Sequence, residues 1–249
     1  MIVDKTRMSG IVAPNQHIGM IHKMWADIGK PMPFALALGF EPLVPFVCGM
    51  PYPAHMDLVG AYYGQGVETV RCATVPLEAP ASAEIVVEGY LSATERVREG
   101  PMGEYAGYMW GGEGAYQPLY EVTAISYRDD AILPITVAGE PVEEDHTAWG
   151  ISNAAEIVYQ LRAEGLPIAA AWSPLESANH WFAITVERGW REKTGRNART
   201  LCNDIGESLF RTKAGMGAPK YIVLDDDVDP SNTLEVVWAF ATQLSGFRG

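Results

Sequence analysis

The hydrophobic residues of this chain recur with two periods, and the periods assign the elements. Ile18, Ile21, Trp25 and Ile28 are spaced three, four and three apart, the repeat of one helix face, and Gly29 with Pro31 ends that helix. Residues 33–38 form a short apolar run between turn formers and predict a buried strand. Residues 68–73 and 84–91 are rich in β-branched side chains and read as strands. Residues 120–127 alternate apolar with polar, turn at Asp129-Asp130, and lead into a predicted strand over 132–137. Residues 1–12 read as two extended pieces about Lys5-Thr6-Arg7, and the glycine- and proline-dense stretches 48–53 and 100–114 read as loops.

The texture changes near residue 140. Residues 151–161 carry helical spacing, while 167–172, 182–186 and 221–224 read as strands. Asp229 before Pro230 predicts a helix start, with Leu234, Val237, Trp238 and Ala241 following. The expected fold class is therefore α+β / α/β: a β-rich domain over 1–140, then an α/β domain over 141–249.

Composition narrows the partners. Across 249 residues, 18 Lys+Arg stand against 31 Asp+Glu, a net charge of −13, which disfavours nucleic acid and anionic membrane surfaces alike. No run of eighteen uncharged apolar residues predicts a membrane span, and no basic flank with an apolar core predicts a signal peptide. Cys48, Cys72 and Cys202 cannot all pair, so a reducing, cytoplasmic setting is expected.

The common hydrolase, zincin, Cys-x-x-Cys and phosphate-loop patterns are absent from the sequence. Gly111-Gly112-Glu113-Gly114 reads as a loop, and Asp225-Asp226-Asp227 as a solvated turn rather than a magnesium site. His22 and His180, in apolar surroundings, read as packed histidines. The most informative stretch is Glu99-Gly-Pro-Met-Gly-Glu104-Tyr-Ala-Gly-Tyr108. Two carboxylates five apart, with two glycines and a proline between them, sit on a constrained turn. Neighbouring carboxylates push their pKa values apart, which keeps one of them available as a proton donor. A pair of surface acids flanking a turn fits the spacing equally well.

That stretch, together with Met1-Ile-Val-Asp-Lys-Thr-Arg-Met8, Gln16-His17-Ile, Pro33-Phe-Ala-Leu-Ala-Leu-Gly39 and Gly49-Met-Pro-Tyr-Pro53, resembles the UbiD family of reversible decarboxylases. Further matches are residues 80–89, Tyr127-Arg-Asp-Asp-Ala-Ile-Leu-Pro134, Asp145-His-Thr147, Lys213-Ala-Gly215 and residues 225–229. The resemblance implies a split-barrel-like domain binding prenylated FMN, followed by an α/β oligomerisation domain. It implies catalytic roles for Glu104, as proton donor, and for Glu99, as the holder of an arginine. Cofactor contacts would fall on Gln16, His17, Cys48, Gly49, Met50, Pro51 and Lys213. His17 would also ligate Mn2+ or Mg2+, with K+ as a further ion, and Asp57 or His55 stands where a metal-ligating glutamate is expected. Trp149 and Met216 would line the substrate pocket; a buried core position suits Trp149 as well.

By the same resemblance the substrate is a small aromatic carboxylic acid, the cofactor supplier is a flavin prenyltransferase, and the assembly is a homo-oligomer. The family's catalytic arginine, metal-ligating asparagine and part of its phosphate loop would precede Met1, and family members are longer at both ends. A second subunit supplying the N-terminal domain is therefore expected, or a longer parent chain. The alternative is a non-catalytic subunit; a split-barrel flavin oxidoreductase is a weaker third reading.

Overall fold

The structure is a computed structural model and describes residues 1–14, 16–49, 55–104, 106–110, 114–137, 139–212, 215 and 218–243. The chain divides into two compact units. The first comprises residues 1–48, 54–104 and 109–136, and the second comprises 49–53, 105–108 and 137–249.

In the first unit β1 (Arg7–Ser9) leads to α1 (His17–Asp27), β2 (Met32–Leu38), α2 (Leu43–Gly49), α3 (His55–Tyr63), β3 (Thr69–Arg71) and β4 (Glu78–Pro80). The long strand β5 (Ile85–Glu99) follows, then β6 (Met102–Gly103), β7 (Met109–Trp110) and β8 (Ala115–Tyr127). An antiparallel sheet in the order β1-β8-β5-β2 is the frame. Its β5–β8 ribbon runs from the pair Ile85–Tyr127 to the pair Glu99–Ala115. Met32, Phe34, Leu91 and Tyr120 bury one patch of it with Val12, and Trp25 of α1 packs on that patch. His22 is buried and its Nε2 donates to the Ser92 carbonyl at 2.9 Å, tying α1 to β5.

Two sequence expectations change here. α1 forms, but its buried residues are Gly19 and His22. Ile21 and Ile28 face outward, Ile28 at 64% exposure. A 3.6-residue period marks a stripe without saying which side of the helix meets the sheet. Residues 132–137 form no strand. Ile135 and Val137 stand about three-quarters exposed, Ile132 spends its N–H on Glu84 Oε2, and Pro134 has none to give.

Glu88 is buried within β5 yet charged. The amides of Ala73 and Thr74 and the Thr74 hydroxyl donate to its two oxygens at 3.0, 2.7 and 2.9 Å. Burial pushes its pKa up, but these donors outweigh burial and hold it below the usual 4.5. A depressed carboxylate stabilises the fold fully above its unfolded pKa, and that contribution is lost as pH falls through the lower, folded value. Glu88→Gln is therefore expected to cost about 2 kcal/mol at neutral pH. It should also flatten the decline of the thermal midpoint below pH 4.5, which melts across an acid series would check.

The second unit contains α4 (Glu144–Ala163), β9 (Ile168–Trp172), a 3-10 turn (Leu175–Ser177), β10 (Trp181–Val186), α5 (Trp190–Thr194), α6 (Ala198–Leu209), β11 (Lys220–Leu224) and α7 (Thr233–Thr242). β10 is central, parallel to β11 and antiparallel to β9. Alternation along β10 sorts the core. Phe182, Ile184 and Val186 face Ile157, Leu161, Leu201, Ile205 and Leu209 of α4 and α6. Ala183 faces the other way, toward Val236 and Ala239 of α7. The helix expected to start after Asp229 begins later. Asn232 is its N-cap and accepts from Leu234 N, while Asp229 accepts from the Ser231 amide and hydroxyl and forms a separate turn.

Candidate active site

The last rung of the β5–β8 ribbon carries the site. Gly100 follows Glu99 at φ +106°, and Gly114 precedes Ala115 at φ +76°. L side chains avoid both conformations. A Cβ on Gly114 would overlap the Glu99 carbonyl, so glycine there lets the ribbon close directly behind the glutamate. Between these glycines β6 and β7 pair as a short hairpin, Gly103 opposite Met109, and Glu104 follows β6.

The two acids sit in different surroundings. Glu99 is 7% exposed. Its Oε1 lies 3.4 Å from the α-ammonium of Met1, and its Oε2 is buried without a hydrogen-bond partner. Glu104 is half-buried, and no hydrogen bond joins the two carboxylates. The Met1 nitrogen also donates to the Ser9 carbonyl at 2.8 Å, and Ser9 N returns a bond to Met1 O at 2.8 Å. Tyr120 is buried against Phe34, ring centroids 5.0 Å apart and nearly perpendicular. Burial first, and then the charge of Glu99, hold its phenol above the usual 10, so it stays protonated at neutral pH. Neither Ser9 nor Tyr120 stands out in the sequence as a functional residue. A Ser at the end of a three-residue strand and a Tyr in an alternating one read as framework.

His17 is the first residue of α1 and half-buried; Gln16 is its exposed N-cap, extended at φ −97° and ψ 163°, and makes no side-chain cap bond. No acidic residue sits in the first turn, so this end of α1 keeps its partial positive charge. Cys48 and Gly49 end α2 and are exposed. Asp57 is exposed in the first turn of α3. Among the described residues no group of three or more His, Cys, Asp or Glu side chains is placed to hold a metal ion. By themselves, then, these residues do not fit a divalent cation.

Met50, Pro51, Lys213 and Met216 lie outside the described residues. Gly215 of the Lys-Ala-Gly motif is buried, and the Tyr221 hydroxyl donates to its carbonyl. Burial pushes the Tyr221 phenol up to about 12. Trp149 is half-buried on α4, edge-on to Phe182 with centroids 6.2 Å apart. Its ring thus packs against the core of the second unit.

Comparison with known proteins gives a consistent picture. Residues 1–141 match the family model described as the 3-octaprenyl-4-hydroxybenzoate carboxy-lyase Rift-related domain, UbiD. Residues 146–248 match that carboxy-lyase's C-terminal domain. The chain is 41% identical over 246 residues to a pyrrole-2-carboxylic acid decarboxylase of Pseudomonas aeruginosa, covering 98% of this chain and 49% of that one. It is 39% identical over 248 residues to ferulic acid decarboxylase 1 of Saccharomyces cerevisiae, with the same coverage. Among solved structures, the vanillic acid decarboxylase of Sedimentibacter hydroxybenzoicus in its closed form superposes with a TM-score of 0.84 at 24% identity, over 97% of this chain and 50% of that one. The apo 3,4-dihydroxybenzoic acid decarboxylase of Klebsiella pneumoniae superposes with a TM-score of 0.78 at 26% identity, over 97% and 51%. A UbiD-class enzyme of Pelotomaculum thermopropionicum, solved as an evolved dimeric form in complex with prFMN, has a TM-score of 0.77 at 24% identity, over 97% and 54%. The chain thus spans about half the length of the relatives it matches.

Proposed function

Because the chain belongs to the UbiD family, we propose that it forms the flavin-binding and C-terminal portion of a decarboxylase acting on an aromatic or heteroaromatic carboxylic acid. The reading rests chiefly on one observation: Glu99 is buried at the end of β5 with one carboxylate oxygen lacking any partner. A buried carboxylate left this way is costly unless a donor completes it. The proposed donor is an arginine from polypeptide that the relatives have and this chain lacks.

In this scheme Glu104, half-buried beyond the β6 hairpin, carries the proton delivered to the carbon that loses carbon dioxide. Glu99 stays ionised and holds the arginine, which in turn orients the substrate carboxylate. Tyr120 remains a neutral donor beside Glu99. Gln16, His17 and the uncapped first turn of α1 suit a phosphate, and with Cys48 and Gly49 they are the described residues that would hold prenylated FMN. When bound, that flavin supplies the electron sink that no side chain offers. Lys213, Met50 and Pro51 are proposed flavin contacts, and Trp149 and Met216 proposed pocket residues. The relatives' activities on pyrrole-2-carboxylic and ferulic acids support an aromatic or heteroaromatic substrate.

Co-expression with a flavin prenyltransferase and the missing half, with absorbance, mass spectrometry and carbon dioxide release as readouts, tests this reading. Bound modified flavin and turnover of an aromatic acid are expected. A folded, colourless assembly without turnover would favour a non-catalytic subunit.

A further inference from the structure

The buried side-chain oxygens without a hydrogen-bond partner, among the described residues, belong to Ser9, Glu99 and Glu143. Those of Glu143 lie beside His146, whose Nε2 stands 3.3 Å from Oε1. Ser9 Oγ and Glu99 Oε2 lack even that, and they belong together. Ser9 pairs with Leu119 and Glu99 with Ala115. Positions 115, 117 and 119 alternate onto one face of β8, so both side chains leave the same face of the sheet. Gln117 stands between them on that face, but its carbonyl oxygen accepts from Val12 N at 3.0 Å. The Met1 nitrogen meets the Ser9 carbonyl at 2.8 Å and Glu99 Oε1 at 3.4 Å, which brings the two residues to a common point. Ser9 is 4% exposed, so bulk water does not complete its hydroxyl.

We propose that Ser9 is a second positioning residue for the cation that completes Glu99. Its hydroxyl accepts one N–H of a guanidinium while the Glu99 carboxylate accepts others. A planar fork of several fixed donors can serve two acceptors at once, which a single ammonium on a flexible stem does less well. The inference deepens the decarboxylase reading and rests on it. It adds a residue that orients the guanidinium rather than neutralising it.

The test uses the complete flavin-loaded assembly and compares Ser9→Ala with Ser9→Thr. Ser9→Ala is expected to lower kcat about tenfold with KM changed less than about twofold, since a hydrogen bond to a charged group is lost. Flavin content and thermal midpoint should hold. Ser9→Thr, which keeps the hydroxyl, should recover most of the rate. An unchanged kcat in Ser9→Ala would overturn the proposal. Equal losses in both variants, accompanied by a lower thermal midpoint, would overturn it too, since that pattern reports packing alone. Absence of turnover in the unsubstituted assembly would instead remove the decarboxylase reading, before any variant is compared.

Discussion

In the complete flavin-loaded assembly, Glu104→Gln is expected to lower kcat by about 10²- to 10⁴-fold, the range that a positioned proton donor contributes. Glutamine matches glutamate in shape and keeps a carbonyl acceptor, but it has no acidic proton to deliver. Glu104 is half-buried and makes no hydrogen bond with Glu99, so the change should leave the fold, the flavin content and the Glu99 pocket intact. Carbon dioxide release and deuterium incorporation from heavy water at the reacting carbon read the loss directly. Undiminished release or exchange in this variant would refute the proton-donor role. Glu99→Gln should also lose rate, for a different reason. The amide keeps the shape but removes the charge that holds the arginine, so substrate orientation suffers.

Gly114→Ala is the second substitution with a large effect. Gly114 sits at φ +76°, and a Cβ there would overlap the Glu99 carbonyl while coming within 3.1 Å of Gly100 Cα. Those neighbours are backbone atoms and cannot rotate away, so the rung between Glu99 and Ala115 must open. We expect a loss of about 3–4 kcal/mol of stability, the high end for a single replacement. In whatever remains folded, kcat/KM should fall about a hundredfold because Glu99 is displaced. Gly29→Ala is the control. Its φ is +68° but no heavy atom lies within 4 Å of the added carbon, so only the backbone preference is lost, about 1 kcal/mol. Thermal melts of the two variants, with turnover of the loaded assembly, separate the cases. Equal, small effects would show that the Gly114 turn does not hold Glu99 in place.

Much of the frame is legible along the chain. The strands of the second unit follow from alternation that is apolar on both faces, as Phe182, Ala183 and Ile184 show by supplying two opposite cores. The five-residue spacing of Glu99 and Glu104, with glycines around it, marks a turn built for close approach. Residues 132–137 mislead because their apolar content matches a strand while Pro134 and the Ile132–Glu84 bond leave nothing to pair. The start of α7 shifts because Asn232, not Asp229, takes the cap.

Local pattern determines what depends on neighbours in sequence: the period of each element, the glycines that a turn demands, and the pairing of two acids with a stretch between them. Tertiary structure alone decides which member of a pattern is buried and what it lacks there. Glu99 and Glu104 are the same residue type five positions apart, yet one is enclosed with an unpaired oxygen and the other is half in solvent. Ser9 enters only because β1 lies beside β8 and shares a face with Glu99. The reason is physical. Desolvation and hydrogen-bond satisfaction are set by atoms from distant parts of the chain, and no periodicity of nearby residues encodes them.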